Sequence, residues 1–221
     1  MDHKVLKARQ RRERGAHPEN LSLRVHRSLS WLDAAEQADS NWDARFVFLW
    51  VAFNAAYAEE IRNTARVAEQ TLFRDFIQRL LAIDQRGQLA TLVWQEYAKS
   101  IRTLIDNPYI FPDYWAYQSG ELSEESWQRR FEKSRRVIIR ALEKQNTAIV
   151  LNIALSRIYT LRNQILHGGS TWNGSVNRQQ VRDCASIMGR LVPVIIEILM
   201  DSPETPWPKV AYPVMKDAAK P

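Results

Sequence analysis

The sequence predicts an all-α protein, a bundle of about six or seven helices with an extended C-terminal tail. Apolar residues recur at steps of three and four over most of the chain, as they do on one face of a helix. Only seven Gly and nine Pro occur, and most of the prolines gather after Asn107 and after Ser202, so long stretches hold no helix breaker. Residues of helix-capping type stand before several of the apolar runs. The 221 residues, 45% hydrophobic with eight Trp, suit one domain with a buried core.

Leu21, Val25, Leu29, Leu32 and Ala35 mark the inner face of a first helix. Ser40 with Asp43 three residues on reads as a capping box for a second, nearly all-apolar helix through Phe46, Leu49, Trp50, Phe53, Ala56 and Tyr57. Leu72, Phe73, Phe76, Ile77, Leu80 and Leu81 predict a third helix ended by Gly87, and Leu92, Val93, Tyr97, Ile101 and Leu104 a fourth. The segment DNPYIFPDYWAYQSGELS reads as a loop whose aromatics pin it to the body.

Ser123 caps a helix through Trp127, Phe131, Ile138 and Leu142 that carries Arg129, Arg130, Lys133, Arg135, Arg136 and Arg140 on its other sides. Such a run reads first as a solvated face and second as a track for an RNA backbone. After a restart near Asn146, the stripe Val150, Ala154, Ile158, Leu161 and Ile165 leads to His167, Gly168 and Gly169. Asn177 with Gln180 signals the cap of a last helix, where Pro193 predicts a kink. Residues 202–221 are too rich in proline for a helix and read as an extended tail anchored by Trp207 and Tyr212. Residues 1–19, with six Lys and Arg among the first fourteen residues, read as a disordered basic arm, which leaves 20–201 as the helical domain.

A single Cys184 excludes an internal disulfide and a cysteine-rich zinc site, and no pair of histidines has metal-ligand spacing, so neither metal nor cofactor is expected. The most apolar run, LVPVIIEILM, is broken by Glu197 and is too short to span a bilayer, and the first residues do not form a signal peptide. A cytoplasmic protein without a membrane segment is the expectation. Formal net charge is +6, and the six Lys and Arg of the first fourteen residues, against Asp2 and Glu13, leave the folded part only mildly basic.

The remaining chemistry lies in LRNQILHGGS, Leu161 to Ser170. The spacing of Arg162 and His167 proves nothing by itself, because Arg12 and His17 repeat it. The context is more specific: a long amphipathic helix, polar Asn163 directly after the arginine, Ile165 and Leu166 before the histidine, then two glycines. Residues five apart on an ideal helix point about 140° from each other, so both cannot enter one cleft from a regular helix. Gly168 lets the chain leave the helix there and reorient His167. The plain structural reading of the pair is a helix end, with histidine at the negative pole and arginine paired to a carboxylate.

RNQILHG between two helices resembles the mark of the HEPN superfamily, helical bundles that carry Arg, four to six residues beginning with a polar one, then His. The helix pair ending in WVAFNAAYA is similar to the N-terminal half of bacterial members of this group, and NRQQVRDCASIMGRLVP to the helix after the motif. The resemblance implies an HEPN-like bundle and a metal-independent ribonuclease working as a homodimer, with two Arg-His motifs across a shared cleft. Arg162, Asn163 and His167 match the motif residue by residue, and Asn54 and Tyr57 are supporting candidates on the neighbouring helix. An imidazole can take or give a proton near neutrality, and a guanidinium offers forked donors to phosphate.

Toxins of this group that pair with a nucleotidyltransferase antitoxin commonly carry tyrosine two residues after the histidine. Here that position is Gly169, so no tyrosine there can be modified. The expected role is RNA cleavage in bacterial defence or stress response, with RNA as partner and any antitoxin unidentified. The alternatives are a non-catalytic module that binds RNA, nucleotide or protein, and a structural interaction protein.

Overall fold

A computed structural model describes residues 2–59, 69–175 and 177–212, and among these the chain is all-helical. The described residues form ten α-helices: α1 (His3–Glu13), α2 (Glu19–Gln37), α3 (Trp42–Tyr57), α4 (Glu69–Ile83), α5 (Gln88–Thr91), α6 (Ala98–Ile105), α7 (Pro112–Gln118), α8 (Glu124–Glu143), α9 (Thr147–Leu166) and α10 (Arg178–Asp201). The surplus over six or seven comes from the short helices between α4 and α8 and from α1. The expected helix over Leu92 to Leu104 is divided by a π turn at Leu92–Glu96, after which Tyr97 leaves helical geometry and α6 begins.

α3 is the central helix. Phe46, Leu49, Trp50, Ala52, Phe53, Ala56 and Tyr57 are all buried, which leaves little room for a solvated face. α2 runs antiparallel beside it after a short turn, α10 lies across both, and α9 meets its other side through Trp50 and Tyr159, whose rings are 5.8 Å apart. The cap of α3 differs from expectation. Asn41, not Ser40, accepts from the Ala44 N–H, and Asp43 is taken by Arg178 at 2.8 Å. A buried carboxylate with a guanidinium beside it has a better partner than a backbone donor.

The described part of the expected disordered arm, residues 2–19, is instead largely helical and docked. Asp2 caps α1, Leu6 and Gln10 are buried, and Arg9 pairs with Asp201 at 2.7 Å while His3 lies 3.1 Å from Asp33. The basic composition conceals one apolar contact, since the cations occupy the outer face and Leu6 the inner one. The aromatic segment after Asn107 is not plain loop either: Pro112, whose ring suits a first helical position, opens α7. Its aromatics are pinned as expected, with Phe111 5.2 Å from Phe131 and Tyr114 5.3 Å from Trp127.

Arg157 closes that aromatic layer. Its guanidinium lies 4.3 Å from the centre of Phe111 and 5.7 Å from Phe131, and it donates to Ser134 at 3.2 Å. Burial pulls its pKa down to about 10. Ser123 caps α8 as read, and Asn146, at the expected restart of the chain, caps α9. Asn177 stands at the N-cap position of α10, as read, but its side chain makes no capping bond: its backbone is left-handed at φ 62°, and its amide reaches Gln164. α10 passes through Pro193 as one continuous helix.

Beyond α10 the chain makes one turn, closed by the Thr205 N–H on the Ser202 carbonyl, and then runs without helix to residue 212. Trp207 is an anchor, buried with its ring 5.5 Å from Phe76, and Val210 forms an isolated bridge with Glu59. Tyr212 is not, being 90% exposed; its backbone carbonyl is held by Arg27. Arg24 joins the tail to the bundle. Its wholly buried guanidinium donates to the carbonyls of Ala56 at 2.7 Å, Ala58 at 2.9 Å and Pro208 at 2.9 Å. It thus satisfies the open end of α3, and burial draws its pKa down to about 10.

Replacing Arg24 by Met leaves three carbonyls without their donor, and urea unfolding should show a loss of about 3 kcal/mol. Lys, with one compact charge in place of a fork, should restore only part of it. A loss below about 0.5 kcal/mol would mean that water takes over the carbonyls without penalty.

Candidate functional site

α9 places Arg162 on its inner side. The guanidinium carbon lies 5.8 Å from the Trp50 ring centre and 5.6 Å from that of Tyr159, so the cation rests against two aromatic faces. Nη1 donates to Asn163 Oδ1 at 2.9 Å. Tyr159 stands three residues before Arg162, on the same helical face, which explains the contact within α9. Trp50 comes from α3, itself braced by Phe53 at 5.5 Å. The arginine is half-buried, its plane guided by the rings and its tip by the neighbouring amide.

His167 has a different setting. Its N–H still donates to the Asn163 carbonyl at 3.0 Å, so its backbone belongs to the last turn of α9. The chain leaves the helix one residue later. Gly168 has φ +75°, its N–H donates to Ile165, and Gly169 N–H reaches back to the Gln164 carbonyl at 2.7 Å. This is a Schellman ending, and it needs a residue without a Cβ at Gly168. A Cβ on Gly169 would stand 3.0 Å from the Gln164 carbonyl oxygen, so that position is crowded too.

The imidazole of His167 is exposed and makes no hydrogen bond or ion pair among the described residues. Gly168 redirects the chain after the histidine and does not turn His167 toward Arg162. Among the described residues, no hydrogen bond or ion pair joins the two side chains.

The two supporting candidates also part company. Tyr57 is buried in an aromatic cluster, 4.8 Å from Phe53 and 6.2 Å from both Phe73 and Phe76. Asn54 is half-buried one turn earlier, and its backbone carbonyl accepts from Ala58 at 2.8 Å.

Several residues around the motif escape a reading of the sequence. Gln164 ties the end of α9 to its surroundings, donating to the Tyr109 carbonyl at 2.6 Å and accepting from Asn177 at 3.4 Å. Trp115 donates to the same carbonyl at 2.7 Å. On the far side of the loop, Asp43 accepts from Arg178 and from the Asn173 N–H at 3.2 Å, so the residues between His167 and α10 are held at both ends. Trp172 projects from this loop, 68% exposed, and Leu166 beside His167 is 48% exposed. Only the step of three from Tyr159 to Arg162 carried a signal; Trp50 is indistinguishable from core in the sequence.

Among the described residues, no group of three His, Cys, Asp or Glu side chains could hold a metal ion. Cys184 is fully buried, and burial pushes its thiol pKa up, which removes it as a nucleophile. Among the described residues, no helix is long and apolar enough to cross a membrane. Compared with models of known families, with curated proteins and with solved structures, the chain matches none.

Gly168→Ala forces a left-handed alanine into the end of α9. Thermal or urea unfolding should register a loss of about 1 kcal/mol; an unchanged midpoint would mean that α9 ends in another way.

Proposed function

We propose that the chain is an HEPN-type, metal-independent RNA endonuclease that works as a homodimer in defence or stress response. The observation that supports this best is the contrast at the end of α9. Arg162 is held in a fixed orientation by Trp50, Tyr159 and Asn163, whereas His167 stands at the exposed end with an imidazole that has no partner among the described residues. A single copy does not unite the two, so the reading requires a second copy that brings another His167 and Arg162 to the same phosphate. The exposed Leu166 and Trp172 beside the histidine give that second copy an apolar surface to cover.

In such a site one imidazole takes the proton of an RNA 2'-hydroxyl, and the oxygen attacks the adjacent phosphorus. Arg162 donates to the phosphate oxygens as negative charge builds on them, and its aromatic cradle keeps the guanidinium oriented while that happens. The second imidazole protonates the departing 5' oxygen. The bond from phosphorus to the 5' oxygen breaks, the bond to the 2' oxygen forms, and the products are a 2',3'-cyclic phosphate and a free 5'-hydroxyl. The chemistry calls for no redox partner.

One observation favours a second reading, a non-catalytic RNA-binding module. Arg162 is directed at Trp50 and Tyr159 within its own chain, an arrangement that can hold a phosphate or a stacked base without any histidine.

RNA incubated with the purified protein in EDTA should be cut to fragments ending in cyclic phosphate. Arg162→Ala and His167→Ala should each reduce the rate by at least about a hundredfold, with unfolding midpoints close to that of the parent. Cutting that persists in both variants sinks the nuclease reading, and RNA binding that depends on Arg162 without any product selects the second one.

A further inference from the structure

α8 and the residue that follows it carry five cations, Arg129, Lys133, Arg136, Arg140 and Lys144, at successive steps of four, three, four and four. On an ideal helix they fall within about 80° of one another and run for about 22 Å, opposite the buried Ile138. All five are exposed, and among the described residues none makes a hydrogen bond or ion pair through its side chain. The other arginines of α8 are occupied: Arg130 lies 3.4 Å from Asp113, and Arg135 pairs with both Asp106 and Glu132. None of the five is tied up in an ion pair among the described residues, Glu125, Glu132 and Glu143 stand within one turn of them on α8, and the row rises by about one helical turn per step.

A groove of about 370 Å³ runs beside this row between α6 and α8. Ile105, Ile138, Ile139 and Leu142 form its apolar floor, and Arg102 and Arg135 stand on its rim. Asp106 and Glu143 also line the groove, and Glu132 stands on α8 beside it, so these carboxylates repel a phosphate from entering. A ligand that satisfies both features carries regularly spaced anions on one edge and flat, weakly polar groups on the other.

The geometry points to a single-stranded RNA lying along α8, with its phosphates on the cation row and one or two bases turned into the groove. This assignment rests on the proposal that the protein acts on RNA, and it names where the strand is held outside the Arg162 region. A membrane surface fits less well, because the exposed face of α8 has no Trp, Phe or Leu to enter the lipid, only Val137 and Ile139. A duplex keeps its bases stacked inside and has nothing to place in the groove.

The test uses the full chain and a 20-nucleotide 2'-O-methyl oligouridylate, which lacks the attacking hydroxyl and so reports binding without cleavage. Replacing Arg129, Lys133, Arg136 and Arg140 together by Gln should weaken binding at least tenfold. It should also make the slope of log affinity against log salt shallower by about 3, roughly 0.7 for each phosphate that is no longer neutralised. Ile139→Asn, at a half-exposed floor position, should weaken the oligonucleotide about tenfold and leave inorganic polyphosphate unaffected.

Unchanged affinity and slope in the fourfold variant overturn the assignment. So does polyphosphate, duplex RNA or a phosphatidylserine vesicle binding as tightly as the single strand. Cleavage of unmodified RNA is scored separately. Binding that behaves as stated with no cleavage removes the nuclease reading and leaves the track, and cleavage untouched by the fourfold change at limiting RNA removes the track and leaves the nuclease.

Discussion

The bundle depends on a buried cation whose partners are backbone carbonyls. A helix ends with carbonyls that have no partner inside it, and the end of α3 is buried at Ala56 and half-buried at Ala58. Arg24 supplies the donors to Ala56 and Ala58 and extends the same guanidinium to Pro208. One side chain from α2 therefore determines how α3 terminates, where the tail crosses, and that Trp207 reaches Phe76. The lowered pKa of Arg24 records the cost of holding charge there, and the three oxygens offset it.

Once α3 is fixed, the position of the motif helix follows. Trp50 faces α9, Tyr159 packs against it, and the cation of Arg162 is drawn to both rings. The far end of α9 is governed by other forces: a glycine-based ending, the amide of Gln164 on Tyr109, and the Asp43 to Arg178 pair that moors the following loop. Arginine and histidine thus have different settings, one half-buried against aromatic rings of the core and the other at the exposed end of α9. That separation gives the proposed shared site its logic, since only a second molecule can bring an exposed histidine to the half-buried arginine.

Much of the bundle was legible because burial leaves a periodic trace. The stripes on α2, α3, α4, α8, α9 and α10 each appear as apolar residues at helical steps, and Ser123 and Asn146 cap as their types suggest. What escaped has a common cause: a single residue whose partner is distant in the chain. Leu6 alone turns a basic segment into a docked helix, and Asp43 gives up a local cap for an arginine 135 residues away. In the motif, the spacing sets Arg162 and His167 about 140° apart on an ideal helix, and among the described residues no hydrogen bond or ion pair joins them. The aromatic cradle around Arg162 could not be read, because a tryptophan that supports a cation and one that fills a core leave the same mark.

The reach of Arg24 also sets an order of events in time. Its first two acceptors lie 32 and 34 residues downstream, but the third is 184 residues away. At ordinary rates of synthesis, about 5–20 residues per second, roughly ten to forty seconds separate the arginine from its last partner. Even after α3 is made, the donor that Arg24 will give to Pro208 has no acceptor until about 150 further residues follow. The contact to Pro208 is therefore the last of the three to close, and the short tail that supplies it is the final part of the described chain to be made.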